Sequence, residues 1–267
     1  MRYTARIANG KLSGLVASDE WVEALETCAT QTGAPDLERC EILGVELLIK
    51  RSKLHGKSAR RHGLRSLFGF PAPRLAEFQN LTWLRERLFL APRPLFAGVV
   101  SRAGVPQFQY LATEYLHGAT TLHEHLVEET EHEQVLATLA REVARMHALG
   151  FVHRDLYPRN LLVRAETVTF VDAWRGGAGP GLRGPEYDLA CLMLYGSEWL
   201  ERQEQSRFFA DYFAERVIQE RAVSDPAKFA LAVEGNRTRL RNRLVKRPHE
   251  RRGRELPSAD WQVPFDR

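Results

Sequence analysis

Two neighbouring stretches decide the fold: GFVHRDLYPRNLLV at Gly150–Val163 and VTFVDAWRGG at Val168–Gly177. Asp155 and Asn160 lie five residues apart in a segment that contains a proline, which indicates a loop. Asp172 follows a short apolar strand, twelve residues after Asn160. Two carboxylates and an amide at one end of a small sheet are the groups that phosphoryl transfer requires, and magnesium prefers such oxygen ligands. The pattern is therefore typical of a phosphoryl-transfer site.

The segments around this loop predict a strand-rich first half and a helical second half. A helix over His132–Leu149, closed by Gly150, leads into the loop. The first half is predicted to contain a hairpin at Asn9–Gly10, a helix starting at Ser18–Glu20, a strand over Glu41–Lys50, a helix over Leu75–Leu88, and an antiparallel pair of strands, Leu95–Ser101 and Phe108–Leu116. The second half is predicted to contain short strands at Leu161–Val163 and Val168–Val171 and helices over Tyr187–Tyr195, Glu198–Arg216 and Asp225–Arg239.

Composition bounds the class of protein. The chain has 267 residues, of which 44% are hydrophobic and 27% charged, so it suits one large domain or two lobes and not a disordered protein. The longest apolar run, Leu189–Tyr195, has seven residues, and the N-terminus lacks the apolar core of a secretory signal. We therefore expect a soluble, unexported protein. Cys28, Cys40 and Cys191 are too scattered for a disulfide framework or a zinc knuckle and are interpreted as ordinary thiols.

Positive charge is concentrated in two stretches, although the formal net charge is only +4. Arg51–Arg74 holds seven Lys or Arg and no acid, and Arg237–Arg254 holds nine against the single acid Glu250. Such asymmetry favours either a solvated face or a site for something anionic. The sequence after Asn236 leaves three alternatives open: a basic helix, a membrane-facing tail or a disordered end.

His153–Asn160 resembles the catalytic loop of the protein-kinase-like superfamily, whose pattern is H-R-D-L-x-x-x-N. It is most similar to the bacterial lipopolysaccharide kinases of the Kdo/WaaP family, in which a tyrosine, here Tyr157, sits two places after the aspartate. Val171–Arg175 resembles the metal-binding segment, with Ala-Trp in place of Phe-Gly. The resemblance implies an α+β, two-lobed protein-kinase-like fold, with a strand-rich N-lobe over residues 1–117 and a mainly helical C-lobe over residues 118–267.

The same resemblance implies a role for each site residue. Asp155 would orient the acceptor hydroxyl, while Asn160 and Asp172 would hold Mg²⁺. Lys50 would contact the α- and β-phosphates of ATP, and Glu77 would pair with it.

Two further roles follow from the resemblance. The backbone of the hinge at Glu114 and Leu116 would hydrogen-bond adenine. Asp188 would brace the catalytic loop, whereas His123, His125 and His132 are interpreted as solvated residues and not as metal ligands.

No G-x-G-x-x-G motif precedes Lys50, so several functions stay open. The first is a kinase acting on a lipopolysaccharide core sugar or a related glycolipid. The second is a protein (Ser/Thr/Tyr) or small-molecule kinase, and the third is a pseudokinase that serves as a binding module. Basic stretches alone do not specify nucleic acid, so no specific nucleic-acid partner is expected.

The basic strip over Arg51–Arg74 suggests where an acceptor would bind. In a kinase-like fold it would lie near the mouth of the nucleotide cleft, where it would attract an anionic acceptor such as the lipopolysaccharide core. An inner-membrane surface would be attracted in the same way. The expected location is the cytoplasm, with peripheral contact at the inner membrane.

Overall fold

The computed structural model describes residues 2–8, 11–12, 15–16, 19–31, 35–54, 56, 71–102, 105–128, 131–179, 183–251 and 253–264. The chain forms two compact units. The first comprises Met1–His117 together with Asp172–Arg175, and the second comprises Gly118–Val171 and Gly176–Arg267. Asp172–Arg175, expected in the second half, thus groups with the first unit.

The first unit is built on an antiparallel sheet with the order β1-β6-β7-β5-β4. A two-stranded ribbon of β2 and β3 stands apart from it. Two helices, α1 and α2, belong to the same unit. Their bounds are β1 Arg2–Ala8, β2 Lys11–Leu12, β3 Leu15–Val16, α1 Asp19–Ala29, β4 Leu37–Ile42, β5 Val45–Lys53, α2 Pro73–Glu86, β6 Pro94–Arg102 and β7 Val105–Glu114.

Strand β5 separates two environments because successive side chains point to opposite faces of a sheet. Leu47 and Ile49 are fully buried and belong to the hydrophobic core that also contains Leu25 of α1. Lys50 and Ser52 lie on the opposite face, where their side chains meet α2. The alternation therefore directs Lys50 and Ser52 toward α2 and directs Leu47 and Ile49 toward the core that contains α1.

The strand predicted over Glu41–Lys50 is wrong as a single element. The chain reverses at Leu43 and Gly44, with φ of 49° and 77°, and β4 pairs with β5 across this turn. A two-residue turn with both φ values positive matches the twist of a hairpin, and Gly44 suits it. Leu43 is an unusual residue for the first turn position, which is why the sequence reads as one continuous strand.

The N-terminal hairpin is also placed differently from the prediction. Strand β1 pairs with β6, and β2 pairs with β3. The predicted turn at Asn9–Gly10 lies outside the described residues.

The second unit is mainly helical and has a small sheet in the order β11-β10-β8. Glu201 breaks the predicted helix Glu198–Arg216 in two, because its side chain caps the next helix in a reciprocal capping box with Glu204. Helix α3 was not predicted. The bounds are β8 Thr120–Thr121, α3 Leu122–Glu128, α4 Glu133–Ala148, β9 Phe151–Val152, β10 Leu161–Arg164, β11 Thr167–Phe170, β12 Gly177–Ala178, α5 Pro185–Leu192, α6 Gly196–Trp199, α7 Arg202–Ile218 and α8 Pro226–Lys246.

The basic C-terminal stretch is folded onto the second unit. Arg237 of α8 is 2% exposed, and it donates to the carbonyls of Met193 at 3.0 Å and Ser258 at 2.9 Å. Its guanidinium also lies 4.8 Å from the ring centroid of Trp261. Of the three alternatives, a helix followed by a packed segment is therefore observed, and the disordered end is excluded for residues 253–264.

The first basic stretch is not a uniformly solvated face. Arg51 is 2% exposed and donates to the carbonyls of Cys28, Ala29 and Pro35, so its charge serves to pack α1 against the sheet. Most of the strip, residues 55 and 57–70, lies outside the described residues. Among the described residues, no helix is both long and apolar enough to cross a membrane.

Candidate active site

The first unit gathers two cations and two carboxylates from three separate segments. Lys50 Nζ donates to Glu77 Oε1 at 2.6 Å and to Asp172 Oδ1 at 3.3 Å. Arg74 Nη1 donates to Glu77 Oε2 at 2.5 Å and lies 3.7 Å from Asp172 Oδ1. Glu77 is fully buried, so both of its oxygens depend on these partners. The predicted partnership of Lys50 with Glu77 has the geometry of a buried ion pair.

The N-terminus of α2 is held by the sheet, which explains how Glu77 reaches Lys50. Ala72 provides no side-chain cap, and Pro73 occupies the first turn. The buried Gln109 of β7 supplies the missing acceptor, since its Oε1 takes the Arg74 backbone N–H at 2.9 Å. Glu77 follows one turn later on the same helix face as Arg74.

The segment that carries Asp172 is attached to the same helix. Asn80 Nδ2 donates to the carbonyl of Ala173 at 2.7 Å. Asp172 itself has φ of 61°, in the left-handed region, which aspartate tolerates better than most residues. Helix α2 thus positions both Glu77 and the backbone next to Asp172.

The neighbouring carboxylates keep Lys50 protonated. Burial alone would lower the pKa of the Lys50 ammonium, but the charges of Glu77 and Asp172 outweigh it, and the pKa lies above its ordinary value. Lys50 is therefore a permanent cation at neutral pH.

In the second unit, Asp188 of α5 braces the loop His153–Asn160. The fully buried Asp188 accepts the backbone N–H groups of His153 and Arg154, both at 2.6 Å. Arg154 has φ of 61°, a strained value for a non-glycine residue, and these two bonds support it. The role expected of Asp188 from sequence agrees with this geometry.

A second layer of buried polar groups holds Asp188. His147 Nε2 lies 3.2 Å from Asp188 Oδ2, and His147 Nδ1 lies 2.9 Å from the hydroxyl of Tyr212. Arg216 donates to the same hydroxyl at 3.2 Å. Neither His147 nor Tyr212 belongs to a sequence motif, and the apolar stripe of α4 conceals His147 as a polar member.

The loop itself is closed by its own backbone. The carbonyl of Asp155 accepts from Asn160 Nδ2 and from the Tyr157 N–H, both at 2.8 Å. Asp155 and Asn160 are 7% and 5% exposed, which is a protected setting for two polar residues. Burial raises the pKa of Tyr157, whose ring carries the Arg159 guanidinium 4.2 Å from its centroid.

The donor chemistry fits magnesium. The amide nitrogen of Asn160 is committed to the Asp155 carbonyl, which leaves its amide oxygen for a cation. The Asn160 carbonyl accepts the Val171 N–H at 3.1 Å, and Asp172 is the next residue in the chain. Carboxylate and amide oxygens are ligands that Mg²⁺ accepts, usually together with several waters.

The proposed hinge residues end the last strand of the sheet. Glu114 closes β7, and its N–H donates to the Arg93 carbonyl at 2.9 Å. Tyr115 N–H donates to the Glu46 carbonyl at 3.1 Å. Within the described part of the chain, the Leu116 N–H makes no hydrogen bond, so this backbone position is open to a ligand.

The remaining candidates of the sequence analysis are placed as follows. Among the described residues, no group of three or more His, Cys, Asp or Glu side chains could hold a metal ion. The rings of His123 and Trp199 lie 4.6 Å apart, and those of His125 and His132 lie 5.9 Å apart. His132 is buried and His123 and His125 are half-buried, so the expectation that these histidines are solvated is wrong. Arg74, a member of the basic strip, belongs to the Lys50 cluster instead. Its position three residues before Glu77 was the available signal.

An N-terminal antiparallel sheet with a Lys–Glu pair, followed by a helical part with an H-R-D loop, defines a protein-kinase-like α+β fold. The chain belongs to the lipopolysaccharide kinase (Kdo/WaaP) family, since the family model matches residues 33–212, more than half of the chain. The predicted fold class and family are thereby confirmed, and membership in a family of kinases implies phosphotransferase activity.

Solved structures agree with this fold. WaaP in complex with acyl carrier protein is 21% identical, with a TM-score of 0.51, over 76% of this chain and 84% of that one. A glucosamine kinase is 16% identical, with a TM-score of 0.52, over 87% of this chain and 84% of that one. No curated protein matches the chain in sequence.

Proposed function

We propose that this protein is an ATP-dependent kinase that transfers the γ-phosphate to a hydroxyl of a lipopolysaccharide core sugar or a related glycolipid. The observation that carries the proposal is the buried Lys50–Glu77 ion pair of 2.6 Å beside Asp172, in a chain whose braced loop presents Asp155. Burying this set of charges is costly for the fold, which supports a role for it in binding phosphates.

Each residue has a task in the reaction. The Lys50 ammonium would bind the α- and β-phosphates of ATP, and Glu77 would keep it in place. Asp155 would orient the acceptor hydroxyl and accept its proton as the γ-phosphate is attacked in line. Asn160 and Asp172 would hold Mg²⁺, which neutralises the charge that develops on the phosphates. The carbonyl of Glu114 and the N–H of Leu116 would hydrogen-bond adenine.

The acceptor class rests on family membership, and the basic strip adds less than its sequence suggested. Arg51 and Arg74 are both engaged within the fold, so an anionic acceptor would have to be attracted by other cations. The cations of α8 and the segment after it are a candidate for peripheral contact with an anionic membrane. Among them, Arg243 and Arg247 already share Glu250, at 2.6 and 3.1 Å.

A pseudokinase is the second candidate, favoured by one observation. In the described sheet β4 is an edge strand, and helix α1 precedes it instead of a glycine-rich hairpin. Measurement of ATP turnover distinguishes the kinase from the pseudokinase. A kinase hydrolyses ATP slowly without acceptor and loses this activity in Asp155→Asn, whereas a pseudokinase binds nucleotide and shows no turnover in any variant.

The acceptor is tested in cells. Mass spectrometry of lipopolysaccharide should show one phosphate fewer on the core when the gene is deleted, and restoration by the wild type but not by Asp155→Asn. Identical core phosphate in all samples would reject this acceptor and direct the search to proteins and small molecules.

A further inference from the structure

Arg74 is a charged residue of the Lys50 cluster to which the proposed reaction assigns no role. Arg74 contacts both carboxylates of the Lys50 cluster and is anchored from behind, since Ser52 Oγ accepts its Nε at 3.3 Å and its Nη2 at 3.2 Å. Its side chain is 18% exposed, which is low for a guanidinium at the start of a helix. Contacts with Ser52, Glu77 and Asp172 fix the position of this guanidinium, unlike that of a mobile surface arginine.

Arg74 balances the charge of the cluster. Glu77 and Asp172 carry two negative charges, and both Lys50 and Arg74 lie against these two carboxylates. Glu77 uses one oxygen for each cation, so removing Arg74 leaves Oε2 desolvated and unpaired. A carboxylate in that state turns toward the remaining cation or away from the site, and either movement displaces Lys50.

We infer that Arg74 is a positioning residue of the nucleotide-phosphate site: it holds Glu77 in the orientation that presents Lys50, and it holds the Asp172 carboxylate before nucleotide arrives. The inference rests on the proposed function for its nucleotide. It also explains how a sheet without a glycine-rich hairpin keeps a defined phosphate site. Arg74 is a second cation, beside Lys50, whose position is fixed before nucleotide binds.

The link between Arg74 and Glu77 can be tested without any ligand. Thermal unfolding is compared in the wild type, Arg74→Ala, Glu77→Gln and the double variant. Arg74→Ala should lower the melting temperature by about 5 °C in the wild-type background, because it strands a buried carboxylate. In the Glu77→Gln background the same substitution should change it by about 1 °C or less. Equal losses in both backgrounds would overturn the link.

The positioning role is tested by the binding of Mg-ADP, at a temperature where every variant is folded. Arg74→Ala should weaken binding about tenfold, and Arg74→Lys should recover part of the loss, because it restores the charge but not the planar set of donors that reaches Glu77 and Ser52. In turnover assays the KM for ATP should rise by a similar factor while kcat changes less than about threefold. Arg85→Ala, a matched arginine at the other end of α2 whose side chain donates to the Ala91 carbonyl, should bind as the wild type does.

These experiments distinguish a failure of the Arg74 inference from a failure of the proposed function. Wild-type affinity in Arg74→Ala, or an equal loss in Arg85→Ala, would overturn the positioning role. Equal weakening in Arg74→Ala and Arg74→Lys would also overturn it, since charge would then not matter. A wild type that binds no nucleotide, together with a melting-temperature result as predicted, would reject the proposed function and leave the Arg74–Glu77 link standing.

Discussion

Leu88 follows the end of α2 in a backbone conformation that is unfavourable for leucine. The N–H of Phe89 donates to the Leu84 carbonyl and the N–H of Leu88 to the Arg85 carbonyl, both at 3.0 Å, which is a Schellman motif. This motif places Leu88 in the left-handed region, with φ of 62°, where glycine is preferred. Its side chain is 84% exposed and has little to lose from truncation.

Leu88→Gly should therefore stabilise the protein by about 1 kcal/mol, because the steric penalty of a left-handed leucine is removed. The free energy of unfolding from urea titration measures the change. Leu90→Gly is the matched control, an exposed leucine without a positive φ, and it should be neutral or destabilising. Destabilisation by both would show that the Leu88 side chain matters more than its backbone.

Cys40 offers a test at the level of one titrating group. Burial, with a contribution from the hydrogen bond to Cys28 across 3.6 Å, raises the pKa of the Cys40 thiol from 9.0 to about 12. The folded state therefore holds this proton more tightly than the unfolded state. The stability that Cys40 contributes is complete below pH 9.0 and is lost as the pH rises toward about 12.

Alkylation of Cys40 by iodoacetamide at pH 8 should be far slower in the folded protein than in urea, since the thiolate is the reactive species. Peptide mass spectrometry measures the rate for each cysteine. Labelling of folded Cys40 as fast as in urea would contradict the raised pKa.

The loop His153–Asn160 depends on the start of α5. The fully buried Asp188 accepts two backbone N–H groups of this loop and contacts His147, which is also buried. Hydrogen bonds to a buried charge contribute about 1.5–3 kcal/mol each.

Asp188→Ala should therefore destabilise the protein by about 3 kcal/mol or more, because two buried N–H groups lose their acceptor. Calorimetry or urea titration measures this. The exposed Asp260→Ala serves as the control and should have almost no effect. Near-equal stabilities of the two variants would show that the loop does not need its brace.

Periodicity in the sequence predicted most elements because the apolar stripes are regular, as in α2 and α4. It failed where a local turn broke a continuous apolar run, as at Leu43, and where a capping side chain divided a helix, as at Glu201. The Lys50–Glu77 pair could be predicted because motif order indicates it. For Arg74 the available signal was its position three residues before Glu77, and this spacing does not decide its place, since a basic run looks the same whether its arginines face water or buried carboxylates.

At the scale of the whole molecule, arginines tie the C-terminal segment to the second unit. Arg237 and Arg241 donate to the carbonyls of Ser258 and Pro257, and Trp261 Nε1 donates to Gln205 Oε1 at 2.7 Å. Arg237 is buried, and this burial lowers the pKa of its guanidinium to about 10.

A chain that ends after Lys246 should therefore be less stable by about 3–5 kcal/mol, because Arg237 remains buried with fewer acceptors. Asp260→Ala, at an exposed position of the segment, is the control, and it should unfold like the full chain. Melting temperatures measure both. Equal stability of the shorter chain and the full chain would mean that the segment contributes no packing.

The most direct test of the central claim is the transfer of a labelled γ-phosphate from ATP to purified lipopolysaccharide. We expect transfer by the wild type in the presence of Mg²⁺ and a loss of at least about a hundredfold in Asp155→Asn, with Mg-ADP binding retained in that variant. Transfer at the wild-type rate by both Asp155→Asn and Asp172→Asn would contradict the account.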